Sequence, residues 1–137
     1  MDTEIEKIII KSFFLKRYHE RILFELSSYK RRRDALFRLS HNYNSILNPK
    51  YMIEIPKPNS DYNDIEKMLR NLGGEDLCYV ISLEDSIDGQ VMPLRNALQN
   101  AVGYGLPSIV SSIPGKLAYF EAEQTAGAPP RFILKKD

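Results

Sequence analysis

Residues 77–83, Leu-Cys-Tyr-Val-Ile-Ser-Leu, constrain the fold more than any other stretch. No other run is apolar and β-branched enough to be a strand buried on both faces. The rest of the C-terminal half is placed around that expected central strand. Before it, Ile65, Met68, Leu69 and Leu72 fall three and four apart, as on one face of a helix, and Gly73-Gly74 stops that helix. After it, residues 84–89 read as a polar turn, and Pro93 stands where a helix favours its first residue. Leu94, Leu98, Ala101 and Val102 form a second stripe that Gly103 and Gly105 close. Ile109, Val110 and Ile113 then begin an extended run, Pro114-Gly115 marks a turn or bulge, and residues 117–123 alternate in polarity. Residues 125–130 are loop-like, and Phe132, Ile133 and Leu134 lie in a last strand that closes a terminal hairpin.

The first 48 residues contain neither Gly nor Pro, which favours helix. Ile5, Ile8, Ile9 and Phe13 recur at helical spacing, as do Ile22, Leu26 and Tyr29, and again Leu36, Leu39 and Tyr43. One helix of that length is unusual in so short a chain, so breaks are expected near residues 18–20 and 27–33. Residues 22–26 suit a strand as well as a helix. Asn48-Pro49 ends the helical region, because the proline disfavours the α conformation at Asn48. Residues 51–55 read as a short strand bounded by Pro56 and Pro58, which therefore lies near a sheet edge or stops sharply. Residues 58–61 carry turn chemistry, with Ser60 or Asp61 available to cap the helix that follows.

At 137 residues, with no repeat or linker tract, the chain reads as a single domain over residues 1–137. An apolar fraction of 43% and a charged fraction of 27% are those of a soluble globular protein. No apolar run approaches the roughly 18 residues of a membrane span. The opening residues Asp2, Glu4 and Glu6 do not resemble a signal peptide, and the single cysteine, Cys78, fits a reducing cytoplasm and an inert core position. The net charge of +1 hides an asymmetry. Residues 1–50 hold eleven Lys or Arg against six Asp or Glu, whereas residues 51–137 hold eight against twelve.

The densest basic run, Lys30, Arg31, Arg32 and Arg33, with Arg38 further along, is the candidate binding site. Such a cluster presents cations to a phosphate backbone or to an acidic protein surface, and its plain alternative is a solvated helix face. The histidines, His19 and His41, lie 22 positions apart without further ligands at metal spacing. Glu84, Asp85 and Asp88 fail the EF-hand pattern. Gly103-Tyr104-Gly105 lacks the lysine of a phosphate loop, and Ser108, Ser111 and Ser112 lack the Gly-x-Ser-x-Gly elbow. No cofactor or metal is therefore expected, and an enzyme is kept only as a residual reading, because catalytic groups can converge without a linear motif.

The element order gives an α+β fold: N-terminal helices on a small mixed or mostly antiparallel sheet of four or five strands, with helices chiefly on one face, ending in a hairpin. The leading functional expectation is a non-enzymatic cytoplasmic protein-interaction module of the inhibitor or immunity kind. The alternative is nucleic-acid binding through the basic cluster. Self-association remains compatible with either, and no membrane partner is expected.

Overall fold

The computed structural model describes residues 1–56, 61–123 and 129–137. Helix α1 (Thr3–Phe13) starts at Asp2, whose carboxylate accepts hydrogen bonds from the Glu4 and Ile5 N–H groups, both at 3.1 Å. Two of the four unpaired donors of the first turn are thereby satisfied. A 3-10 turn at Lys16–Tyr18 leads into α2 (His19–Leu26), and α3 (Tyr29–Ile46) follows, kinked where Asn42 adopts φ −121° and ψ 25°. Residues 22–26 are thus helical. The first break falls at residues 14–18, ahead of the expected 18–20, and it has a tertiary cause. Phe14 turns extended to bridge Leu47, with Leu15 N–H on Ile46 O at 2.9 Å and Asn48 N–H on Phe13 O at 2.8 Å. Backbone pairing between residues some 30 positions apart ends α1 where no Gly or Pro does.

Strand β1 (Met52–Glu54) is followed by α4 (Tyr62–Asn71), which Asp61 caps. Asp61 Oδ1 accepts from Asp64 N–H at 3.0 Å and Asp64 Oδ2 from Asp61 N–H at 3.3 Å, a reciprocal capping box. The rest of the turn expected at residues 58–61, and most of the loop expected at 125–130, lie outside the described residues. Strand β2 (Leu77–Ser82), β3 (Val91–Pro93), α5 (Leu94–Ala101), β4 (Ser108–Ile113), β5 (Leu117–Glu121) and β6 (Arg131–Lys135) complete the chain. The sheet runs β1-β6-β5-β4-β2-β3, every neighbouring pair antiparallel, with a register irregularity between Ser111 and Ile113.

The fold is therefore α+β with five α-helices among the described residues and a sheet that ends in the β5–β6 pair. It has six strands rather than four or five. The additional one is β3, three residues long and ended by Pro93, too short to leave an alternating pattern. β2 lies one place in from the edge rather than at the centre, since β4 and β5 occupy the middle.

Helices cover both faces of the sheet, not chiefly one. Tyr79, Ile81, Ile109, Phe120, Phe132 and Leu134 pack under α1, α2 and α3 against Ile9, Phe13, Ile22, Leu26, Leu36 and Leu39. On the opposite face Cys78, Val80, Val110, Tyr119 and Ile133 pack under α4 and α5 against Ile65, Leu69, Leu94 and Leu98. Successive residues of a strand point to opposite faces, so two apolar layers demand continuous rather than alternating apolarity. That is why the run 77–83 is apolar throughout although its sheet is antiparallel.

Candidate functional site

The basic run divides at Arg32. Helix α3 places Arg32 on the same stripe as Leu36 and Leu39, three and four residues apart, and this stripe faces the sheet. Arg32 is 1% exposed. Its Nη1 and Nη2 grip Glu6 of α1 at 2.8 and 2.7 Å, and its Nε and Nη2 grip Asp88, beyond β2, at 2.8 and 2.9 Å. Nη1 also donates to Leu26 O at 3.2 Å, so all five guanidinium N–H groups have an acceptor. Burial opposes the charge on Arg32, but the bonds and attraction of Glu6 and Asp88 outweigh it and hold its pKa above the usual arginine value.

The partners are held in turn. The Tyr79 hydroxyl donates to Glu6 Oε2 at 2.6 Å and accepts from Asp2 N–H at 3.0 Å, while Asp88 Oδ1 takes the Ser82 N–H at 2.9 Å. Burial, with the Glu6 carboxylate, pushes the Tyr79 phenol pKa up, so the group stays a proton donor. Two bidentate carboxylate pairs on one buried cation thus tie α1, α3 and the segment after β2 together, and this is a structural anchor.

The remaining cations of the run sit outside. Lys30 and Arg31 are exposed, and the Arg31 guanidinium lies 5.0 Å from the centre of the Phe24 ring. Arg33 pairs with Asp85 at 3.3 Å, and Arg38 pairs with Glu25 of α2. Around them the α2–α3 hairpin displays large apolar rings: Phe24 at 60% exposure, Tyr29 at 68% and Phe37 at 42%. Tyr29, expected to share the apolar stripe of Ile22 and Leu26, instead opens α3 on the solvent side.

Phe24 and Phe37 had no place in the sequence-based site. Their signal was present for Phe37, since Arg32, Leu36 and Leu39 define the inward stripe of α3 and Phe37 falls off it. The hairpin thus exposes aromatic rings, one of them under an arginine, and both residue types are enriched at protein interfaces.

The other singled-out residues have local roles. His19 Nε2 donates to Phe14 O at 2.8 Å and so satisfies a carbonyl at the end of α1, while His41 meets Glu123 at 3.1 Å. Cys78 is buried, and burial pushes its thiol pKa up to about 12, where little thiolate forms at neutral pH. Gly103 and Gly105, at φ 87° and 71°, give their N–H groups to the buried Glu121 carboxylate at 3.0 and 3.1 Å, and Tyr119 donates to it at 2.7 Å. Burial pushes the Glu121 pKa up, against the pull of those donors and of Arg131. Gly103-Tyr104-Gly105 is thus a helix-ending loop fixed from within.

Among the described residues no three His, Cys, Asp or Glu side chains come together in a metal-holding group, and no helix is long and apolar enough to cross a membrane. Set against known proteins, the chain matches no family model, no curated protein and no solved structure.

Proposed function

We propose that the chain is a non-enzymatic protein-interaction module of the inhibitor or immunity kind, working in a reducing cytoplasm. The outer face of the α2–α3 hairpin docks an acidic protein surface. The observation that carries this reading is the exposure of Phe24, Tyr29 and Phe37 together on one hairpin, with Arg31 lying over the Phe24 ring. Rings held on packed helices bury large area on docking at little further entropic cost. Lys30 and Arg31 supply the charge that favours Asp and Glu on the partner and steers its approach.

Duplex nucleic acid is the weaker reading. Arg32 is withdrawn into the core, and Arg33 and Arg38 already face Asp85 and Glu25. The two cations left, Lys30 and Arg31, which form no ion pair among the described residues, give a shallow dependence of affinity on salt, about one unit of slope per phosphate contact.

A photo-reactive phenylalanine analogue at position 37, activated in cells making the full chain, tests the proposal. The expected product is one discrete crosslinked protein whose contact peptide is rich in Asp and Glu. Its affinity for the isolated chain should fall roughly 30-fold, about 2 kcal/mol, with each of Phe24→Ala and Arg31→Ala, as for residues at an interface centre. A product sensitive to nuclease would replace this reading with the nucleic-acid one. So would micromolar binding of a generic duplex at about 0.15 M salt that a Lys30→Ala, Arg31→Ala, Arg33→Ala chain loses.

A further inference from the structure

A second basic region is concave and reaches the first residues of α2. It is bounded by the end of α1, the 3-10 turn after it, the segment around residue 48 and the C-terminal residues beyond β6. Lys11, Lys16 and His19 line its centre, Arg17 and Glu20 extend it on one side, and Ser12, Asn48, Tyr51 and Lys136 on the other. The side reaching Lys136 measures about 500 Å³. That lies within the range of sites for small molecules, roughly 300–1,000 Å³.

Cations outnumber carboxylates along its lining. Among the described residues the arginines Arg32, Arg33, Arg38, Arg70 and Arg95 all pair with carboxylates. The lining cations Lys11, Lys16, Arg17 and Lys136 form no such pair among them, nor does Lys50 beside Tyr51, and Glu20 is the one carboxylate among the described lining residues. Two of these ammonium groups rest on an aromatic ring instead, Lys50 at 5.8 Å and Lys136 at 5.2 Å from the centre of Tyr51. A ring holds a cation weakly enough that a phosphate oxygen displaces it. Like charges gathered in a concavity focus a positive potential and repel one another until an anion enters.

We infer that this concavity binds a chain of linked phosphate groups. Four lining cations exceed what one phosphate engages, whereas a triphosphate, with several negative charges along a few ångströms, meets Lys11, Lys16 and Lys136 together. The Ser12 hydroxyl and the Asn48 amide add neutral donors at the wall. The His19 N–H at Nε2 is already given to Phe14 O, so His19 shapes the wall rather than donating to the ligand. Two sources share this chemistry: a nucleoside triphosphate, whose base would stack on Tyr51, and inorganic polyphosphate, which would leave that ring unused.

Calorimetric titration of the full chain with sodium tripolyphosphate and with ATP, at constant ionic strength and with sodium sulfate as control, tests this. Saturable one-to-one binding of tripolyphosphate is expected. Each lost charge-assisted contact is worth about tenfold, so Lys11→Gln with Lys16→Gln should weaken binding about 100-fold. Lys30→Gln with Arg31→Gln should leave it unchanged. ATP binding more than about tenfold tighter than tripolyphosphate, and reduced to parity by Tyr51→Leu, identifies a nucleotide. Equal affinities identify the phosphate chain alone. No saturable binding by the wild-type chain would overturn the inference. So would an affinity that sulfate matches, or one that the Lys11, Lys16 double variant retains. Exposed lysines contribute little to folding, so the double variant should unfold as the wild type does.

Discussion

Arg32→Met is expected to cost about 3–5 kcal/mol of folding stability, because it leaves the buried carboxylate of Glu6 without its counter-ion. Glu6 is 3% exposed and, among the described residues, would keep the Tyr79 hydroxyl alone as a side-chain partner, while Asp88, nearer the surface, regains water. The loss is a large part of the roughly 5–15 kcal/mol that holds a domain of ordinary size together. Denaturant unfolding reads it as a drop in midpoint at unchanged slope. Adding Glu6→Gln to Arg32→Met removes the stranded charge and should recover part of the loss, so the two substitutions are non-additive. A cost below about 1 kcal/mol for Arg32→Met, or strict additivity with Glu6→Gln, would mean that the anchor contributes little.

Ending the chain at residue 123 should abolish cooperative unfolding. The shortened chain loses β6, which lies between β1 and β5 and pairs with both. Phe132 and Leu134 leave the core under α1–α3, and Ile133 leaves the core under α4 and α5. Burying three such side chains is worth about 1.5–3 kcal/mol each, a sum comparable with the whole stability of the fold. Both flanking strands would also be left with open edges, which template aggregation. A shortened chain that stays soluble with a cooperative transition would contradict the assignment of β6 as an interior strand.

Local patterns made most of the elements legible. The stripe Ile65, Met68, Leu69 and Leu72, the Asp61 cap and the run 77–83 each declare themselves within a few residues. What stayed hidden depends on residues distant in sequence. The end of α1 is set by pairing with the chain around Leu47, and β3 exists because β2 offers it an edge. The second helical layer also escaped the sequence-based fold, although continuous apolarity in β2 is its trace.

The site divides in the same way. A run of four basic residues announces charge but not direction, and on a helix neighbouring side chains point 100° apart. Arg32 lies on the stripe of Leu36 and Leu39, a signal readable from spacing alone. Its partners Glu6 and Asp88 stand 26 and 56 positions away, and only the fold brings them to it. The basic concavity draws on residues from Lys11 to Lys136 and leaves no linear motif.

The division of the basic run into one inward anchor and outward neighbours is tested most directly by arginine modification of the native chain with phenylglyoxal, mapped by mass spectrometry over time. Arg31 and the partly exposed Arg33 and Arg38 should react readily. Reaching Arg32 requires local opening at a cost of about 3 kcal/mol or more, which slows its modification about 100-fold or beyond, and the protection should vanish in denaturant. Modification of Arg32 in the native chain at the rate of Arg31 would contradict the buried anchor and return all four cations of the run to the surface.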